Sequence, residues 1–150
     1  MSAFDPKRTL VYAPTMSEID QTLSEVSALF ALVPGCELRG STLQDDHVIM
    51  ELLVEHRGAL AALSDISMAA NAALEPSAVL RSVLLRNESP SWPVRLTLSP
   101  VALPTEGIAH GNLQLVGVHL VWHLHRAGLM TGRDSNRMLQ RWNAALVADT

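Results

Sequence analysis

Apolar residues recur along this chain with two different periods. Between Pro14 and Gly35, the residues Met16, Ile19, Leu23, Val26, Phe30 and Val33 fall three or four apart. That spacing predicts one amphipathic helix, closed by Pro34-Gly35. Thr15 and Glu18 have the spacing of a capping box at its start. Ahead of it, the run TLVYA, 9–13, is rich in β-formers and predicts a short strand ended by Pro14. Residues 36–75 admit two readings. In one, CELRGS and HVIMELLVE are strands joined by a turn near Leu43–Asp46, followed by a helix from Gly58 to Leu74 that stops before Pro76. In the other, 44–74 is one helix with Gly58 in its interior, at a cost of about 1 kcal/mol relative to Ala. The β-branched residues, and the alternation that places Glu51 and Glu55 on one side, favour the strands.

The clearest strand pattern is WPVRLTLSPVAL, where Val94, Leu96 and Leu98 alternate with Arg95, Thr97 and Ser99. Pro93, Pro100 and Pro104 suggest that it lies at a sheet edge. The preceding run AVLRSVLLRN reads as strand or helix; as a strand it makes a hairpin with a loop around Glu88–Ser91. From Thr105 the period returns to that of a helix. Leu113, Val116, Gly117, Leu120 and Leu124 form one stripe and Gly128 supplies a stop. A second helix follows, capped by Asp134 or Ser135, with Met138, Leu139, Trp142, Ala145 and Leu146 on one side. Their short connection predicts an antiparallel pair.

Taken in order, these elements predict an α+β fold. The order is ferredoxin-like, βαββαβ, with an extra strand and a C-terminal helical pair. The alternative is a mostly-α bundle carrying one β-hairpin. A length of 150 residues, with no repeat or linker, predicts a single domain over 1–150.

Composition sharpens this reading. Apolar residues are 48% of the chain and charged residues only 17%, a balance that argues for a large aliphatic core, a buried subunit interface, or both. The net charge of −4 conceals a polarity: residues 1–75 carry four Lys/Arg against eleven Asp/Glu, and residues 76–150 seven against four. The acidic half can therefore dock on the basic half, within one chain or between two. A single cysteine, Cys36, excludes an internal disulfide and favours a reducing, cytoplasmic setting. The N-terminus lacks the pattern of a signal peptide. The longest apolar-looking run, Leu113–Leu124, is broken by Gly117, His119 and His123 and is too short for a membrane helix, which needs about 20 residues.

Candidate chemistry concentrates in GVHLVWHLHRAG, 117–128. On a helix His119 and His123 sit one turn apart, as metal-chelating histidines do, while His125 points elsewhere. A divalent transition metal would need a further ligand, from His110, His47, His56, Glu51 or Glu55. The competing reading is an ordinary helix flank. Arg126, Arg133, Arg137 and Arg141, with Trp142, form a basic strip; the acidic chain as a whole and the absence of a phosphate loop argue against nucleic acid. Cys36 has no neighbouring base in sequence, and no serine stands in a nucleophile elbow.

With no catalytic constellation and few charged residues, the sequence points to a non-catalytic protein-interaction or adaptor domain, homo-oligomeric and requiring no cofactor. Its partner is expected to be itself or another protein, not a membrane. The expected contact surface comprises Trp122, Arg126, Arg137, Arg141 and Trp142, with Trp92 as a further anchor, because Trp and Arg dominate protein interfaces. The alternatives are a metal-dependent enzyme using His119 and His123 as ligands, with Glu51 or Glu55 as base, or a small-ligand-binding domain with an apolar pocket between sheet and helices.

Overall fold

The structure, a computed structural model, describes residues 6–44, 47–85, 91–101 and 110–145, with side chains from Glu18 onward. The chain orders as α1 (Pro6–Phe30), β1 (Cys36–Gln44), β2 (His47–Val54), α2 (Arg57–Leu74), β3 (Ala78–Leu84), β4 (Trp92–Pro100), α3 (His110–Arg126) and α4 (Gly132–Arg141). The four strands form one antiparallel sheet in the order β1-β2-β4-β3. The fold is therefore α+β. Strands β2 and β3 run parallel, joined through α2, with β4 inserted between them. This split βαβ unit is what the ferredoxin-like order shares with the structure, and the likeness is a loose one. Four strands, not a single hairpin, make up the β layer.

Period-two patterning decides which side of the sheet is covered. Val48, Met50, Leu52 and Val54 of β2, Val94, Leu96 and Leu98 of β4, and Ala78 and Leu80 of β3 are all buried. They share one face by register, with Met50 opposite Leu96 and Leu80 opposite Leu98. In β1 the phase changes partway. Cys36 and Leu38 pair with Val54 and Leu52, but a bulge at Arg39 lets Ser41 and Leu43 pair with Met50 and Val48. One extra residue thus moves the inward positions from even to odd numbers. Helices cover this face alone: α1 packs beside β1, α2 beside β3 and β2, and α3 lies against both α1 and α2. Leu113, Val116, Leu120, Val121 and Leu124 of α3 are buried at the centre of that layer.

Four expectations are corrected. The run 9–13 is helical, because α1 begins at Pro6 and continues through Pro14, so Thr15 lies inside a helix instead of capping one. A proline withholds one helical hydrogen bond, and a short β-prone run is too weak a signal to end a helix of this length. Strand β4 is interior, not an edge: its prolines stand next to or at its two ends and leave 94–99 free to bond on both sides. The edges are β1 and β3. Finally, α4 is capped by Thr131, whose hydroxyl accepts from the Asp134 amide at 3.0 Å, so Asp134 and Ser135 lie in its first turn. The turn at Asp45–Asp46, Pro104, Leu146 and most of the 88–91 loop lie outside the described residues, as does the side chain of Met16.

Helix α4 runs back along α3. Gly132 at its start lies near His125, and Trp142 at its end packs on Gly117. A Cβ at Gly117 would stand 2.6 Å from two Trp142 ring carbons and 3.1 Å from Val26. Gly117→Ala should therefore lower stability by about 1–2 kcal/mol, because overpacking outweighs the helix preference for alanine. Gly111→Ala, with nothing within 4 Å of the new methyl, should be neutral or mildly stabilising. Denaturant midpoints of the two variants check this contrast.

Candidate functional site

Each histidine offered as a further ligand, His47, His56 and His110, has a separate structural partner. His56 caps α2, its Nδ1 accepting from the Ala59 amide at 3.2 Å. Its ring also fills the space beside Gly35, whose positive φ of 85° and lack of a Cβ are both required there. His47 Nδ1 lies 2.7 Å from Ser99 Oγ across β2 and β4. His110 Nε2 lies 2.7 Å from Thr22 Oγ1 and ties α3 to α1. Glu51 accepts from Arg95 at 2.8 and 3.1 Å, and Glu55 is exposed beyond the end of β2. Among the described residues no group of three His, Cys, Asp or Glu side chains stands close enough to hold a metal ion.

His119 and His123 are half-buried on one flank of α3. His119 meets Trp122 edge-on, with ring centroids 4.8 Å apart. Loss of solvent pushes the imidazole pKa of His119 down and the Arg126 charge pushes it further. His123 is lowered by the same two causes, in the same order, and partly restored by Asp65 on α2. Both rings therefore favour the neutral form. Neutral imidazole is what a metal needs, but it is equally what a ring against a helical core adopts.

The expected contact residues divide. Trp142 is 7% exposed and belongs to the core. Trp122 is half-buried and donates from Nε1 to the Ala145 carbonyl at 3.0 Å. Arg126 and Arg137 are exposed, while Arg141 pairs with Glu25 of α1. The two ion pairs among the described residues, Glu51–Arg95 and Glu25–Arg141, each join the acidic half to the basic half within one chain. The charge polarity is thus partly used internally. Cys36 is buried and its thiol is pushed up to about 11, so it is protonated and unreactive at neutral pH.

Two surfaces retain unused chemistry. A polar cavity of about 390 Å³ opens between α1, α3 and the end of α4, beside the Thr22–His110 pair and the Glu25–Arg141 ion pair. It is not the apolar pocket between sheet and helices that a small-ligand domain was expected to show. A hydroxyl–imidazole pair is the start of a nucleophilic site, yet among the described residues no carboxylate bonds the ring to orient it. The second surface is the sheet face turned away from the helices, which sequence reasoning did not single out. It presents His47, Ile49, Glu51 and Leu53 of β2, Pro93, Arg95, Thr97 and Ser99 of β4, Val79, Arg81 and Val83 of β3, and Gly40 and Thr42 of β1. No described element packs on it. The sequence signal was available: Ile49, Leu53, Val79 and Val83 are apolar residues at the outward phase of strands whose inward phase is already apolar.

None of the described helices is long and apolar enough to cross a membrane. Comparison of the chain with protein-family models, with curated proteins and with solved structures finds no match in any of the three.

Because both imidazoles are held below the ordinary histidine value, the unfolded chain takes up protons that the folded chain resists. Their effect is absent well above about pH 6.5 and destabilises the fold increasingly as pH falls below it. Denaturant midpoints should drop between about pH 7.5 and about pH 5.5, and His119→Gln with His123→Gln should flatten that drop. Asp65→Asn should lower the His123 titration further, as read by its imidazole NMR signals.

Proposed function

We propose that this chain is a non-catalytic protein-contact domain that associates chiefly with copies of itself and works in a reducing, cytoplasmic setting. The observation that carries the reading is the open side of the sheet. Among the described residues, the helices lie on one face of the four-stranded sheet and none covers the apolar side chains of the other, and uncovered apolar area on a small domain is characteristic of contact surfaces. Of the large apolar residues that stand exposed, Val83, Leu84 and Leu85 are consecutive, at 48%, 42% and 42%. Arg126 of α3 and Arg137 of α4, both exposed, offer a second and less apolar candidate surface. The shortage of charged residues along the whole chain supports the same reading.

The reading predicts that the mass of the untagged protein in sedimentation equilibrium rises with concentration from monomer toward dimer or higher. A monomeric mass from low micromolar to near-millimolar protein would refute it. Arg126→Glu with Arg137→Glu should leave that association unchanged if the sheet side carries it, and weaken it if the helical surface does.

A further inference from the structure

The two sheet edges are not equivalent. Edge strand β1 is interrupted by the bulge at Arg39 and flanked there by Glu37 and Arg39, which is how sheet edges are protected from pairing. Strand β3 has no bulge. Leu85 donates to the Pro93 carbonyl at 2.9 Å, so by the alternation of an antiparallel ladder Val83, Arg81 and Val79 also bond toward β4. Ala78, Leu80, Ser82 and Leu84 therefore turn their N–H and C=O groups outward, with Ala78 buried at the start of the strand. Asn71 of α2 already occupies the pair at Leu80: its Nδ2 donates to the Leu80 carbonyl at 2.8 Å and its Oδ1 accepts from the Leu80 amide at 2.6 Å. Beyond Leu80, Ser82 and Leu84 are the outward residues of β3 that no described residue pairs, beside the exposed side chains of Val83 and Leu85.

We infer that a second copy of this chain pairs on that edge, β3 antiparallel to β3, about a two-fold axis through Val83. The inference rests on the self-association proposed above and names the surface that carries it. The register follows from what is free. Centred on Val83, Ser82 of each copy meets Leu84 of the other, and the two pairs exchange four N–H···O bonds. Centred on Ser82, Leu84 would face Leu80, whose groups Asn71 holds. Centred on Leu84, Ser82 would face a residue beyond the end of β3. Only the first register satisfies both open residues with each other.

The side chains fit the same register. Directly opposed residues share a face, so Val83 meets Val83 on the bare side, in a non-hydrogen-bonded pair where side chains approach closely. Leu85 of the second copy comes opposite Arg81. There it reaches a groove of about 500 Å³ lined by Asn71, Pro76, Val79, Arg81 and Val101 among others. Val101 is 58% exposed and is the next large apolar residue this packing would cover. The two bare faces would then join into one eight-stranded surface. A seam of one short strand is smaller than a standard stable interface of about 1,200–2,000 Å². The dimer is therefore expected to dissociate on dilution.

The test uses Val83→Cys in the full chain, where Cys36 is buried and protonated and contributes no cross-link. Under mild oxidation with diamide, Val83→Cys should form a disulfide-linked dimer, and Val79→Cys, on the same face but away from the axis, should not. Ser82→Pro removes an outward N–H and no bond to β4, and should weaken association at least tenfold in sedimentation while leaving circular dichroism unchanged. Equal cross-linking at 79 and 83, or none at 83, overturns the inference. So does undiminished association of folded Ser82→Pro, which would leave self-association through another surface standing. A wild-type chain that is monomeric throughout overturns both.

Discussion

A sheet can be covered on one side, on both, or on neither, and the described helices of this chain cover one. The inward positions of the strands are mostly aliphatic and meet the helical layer, and the bulge at Arg39 keeps β1 in phase with that demand. The helical layer is locked in turn by the close approach of Trp142 to Gly117, which pins α4 to α3, and by the Thr22–His110 bond between α1 and α3. One-sided coverage has a direct consequence. The same strands that build the core carry half-buried Ile49, Leu53 and Val79 and exposed Val83 on the opposite face, and the functional reading follows from that asymmetry.

The histidines show how residue chemistry is absorbed by a fold. Six are present, and they divide among a helix cap, two hydroxyl partners and the flank of α3 instead of converging. The i, i+4 spacing of His119 and His123 is real on the helix. Their lowered pKa values arise from partial burial and the Arg126 charge, both of which an ordinary core-facing flank supplies. The exposed Glu51–Arg95 pair, half in water, adds at most about 1 kcal/mol to stability.

Much of the fold was legible from period alone. Strand β2 alternates without exception over 47–54, and α2 ends where Pro76 requires it. What escaped was set by tertiary context. The run 9–13 carries β-formers, yet it extends a helix. The prolines of β4 look like edge signals, but their placement at the strand ends is compatible with an interior position. Trp142 has the residue type of an interface anchor and was drawn inside by a glycine two helices' contact away, which no local pattern reveals. The proposed contact surface was hidden because exposure depends on which face the helices choose.

The central claim, that Asn71 holds the outward groups of Leu80 while a second copy pairs with those of Ser82 and Leu84, is tested most directly by NMR-detected amide hydrogen exchange at several protein concentrations. The account predicts that the Leu80 amide, held by Asn71, is protected at every concentration, whereas the amides of Ser82 and Leu84 exchange rapidly in dilute protein and slow as concentration rises. Exchange at Ser82 and Leu84 that does not change with concentration would contradict it.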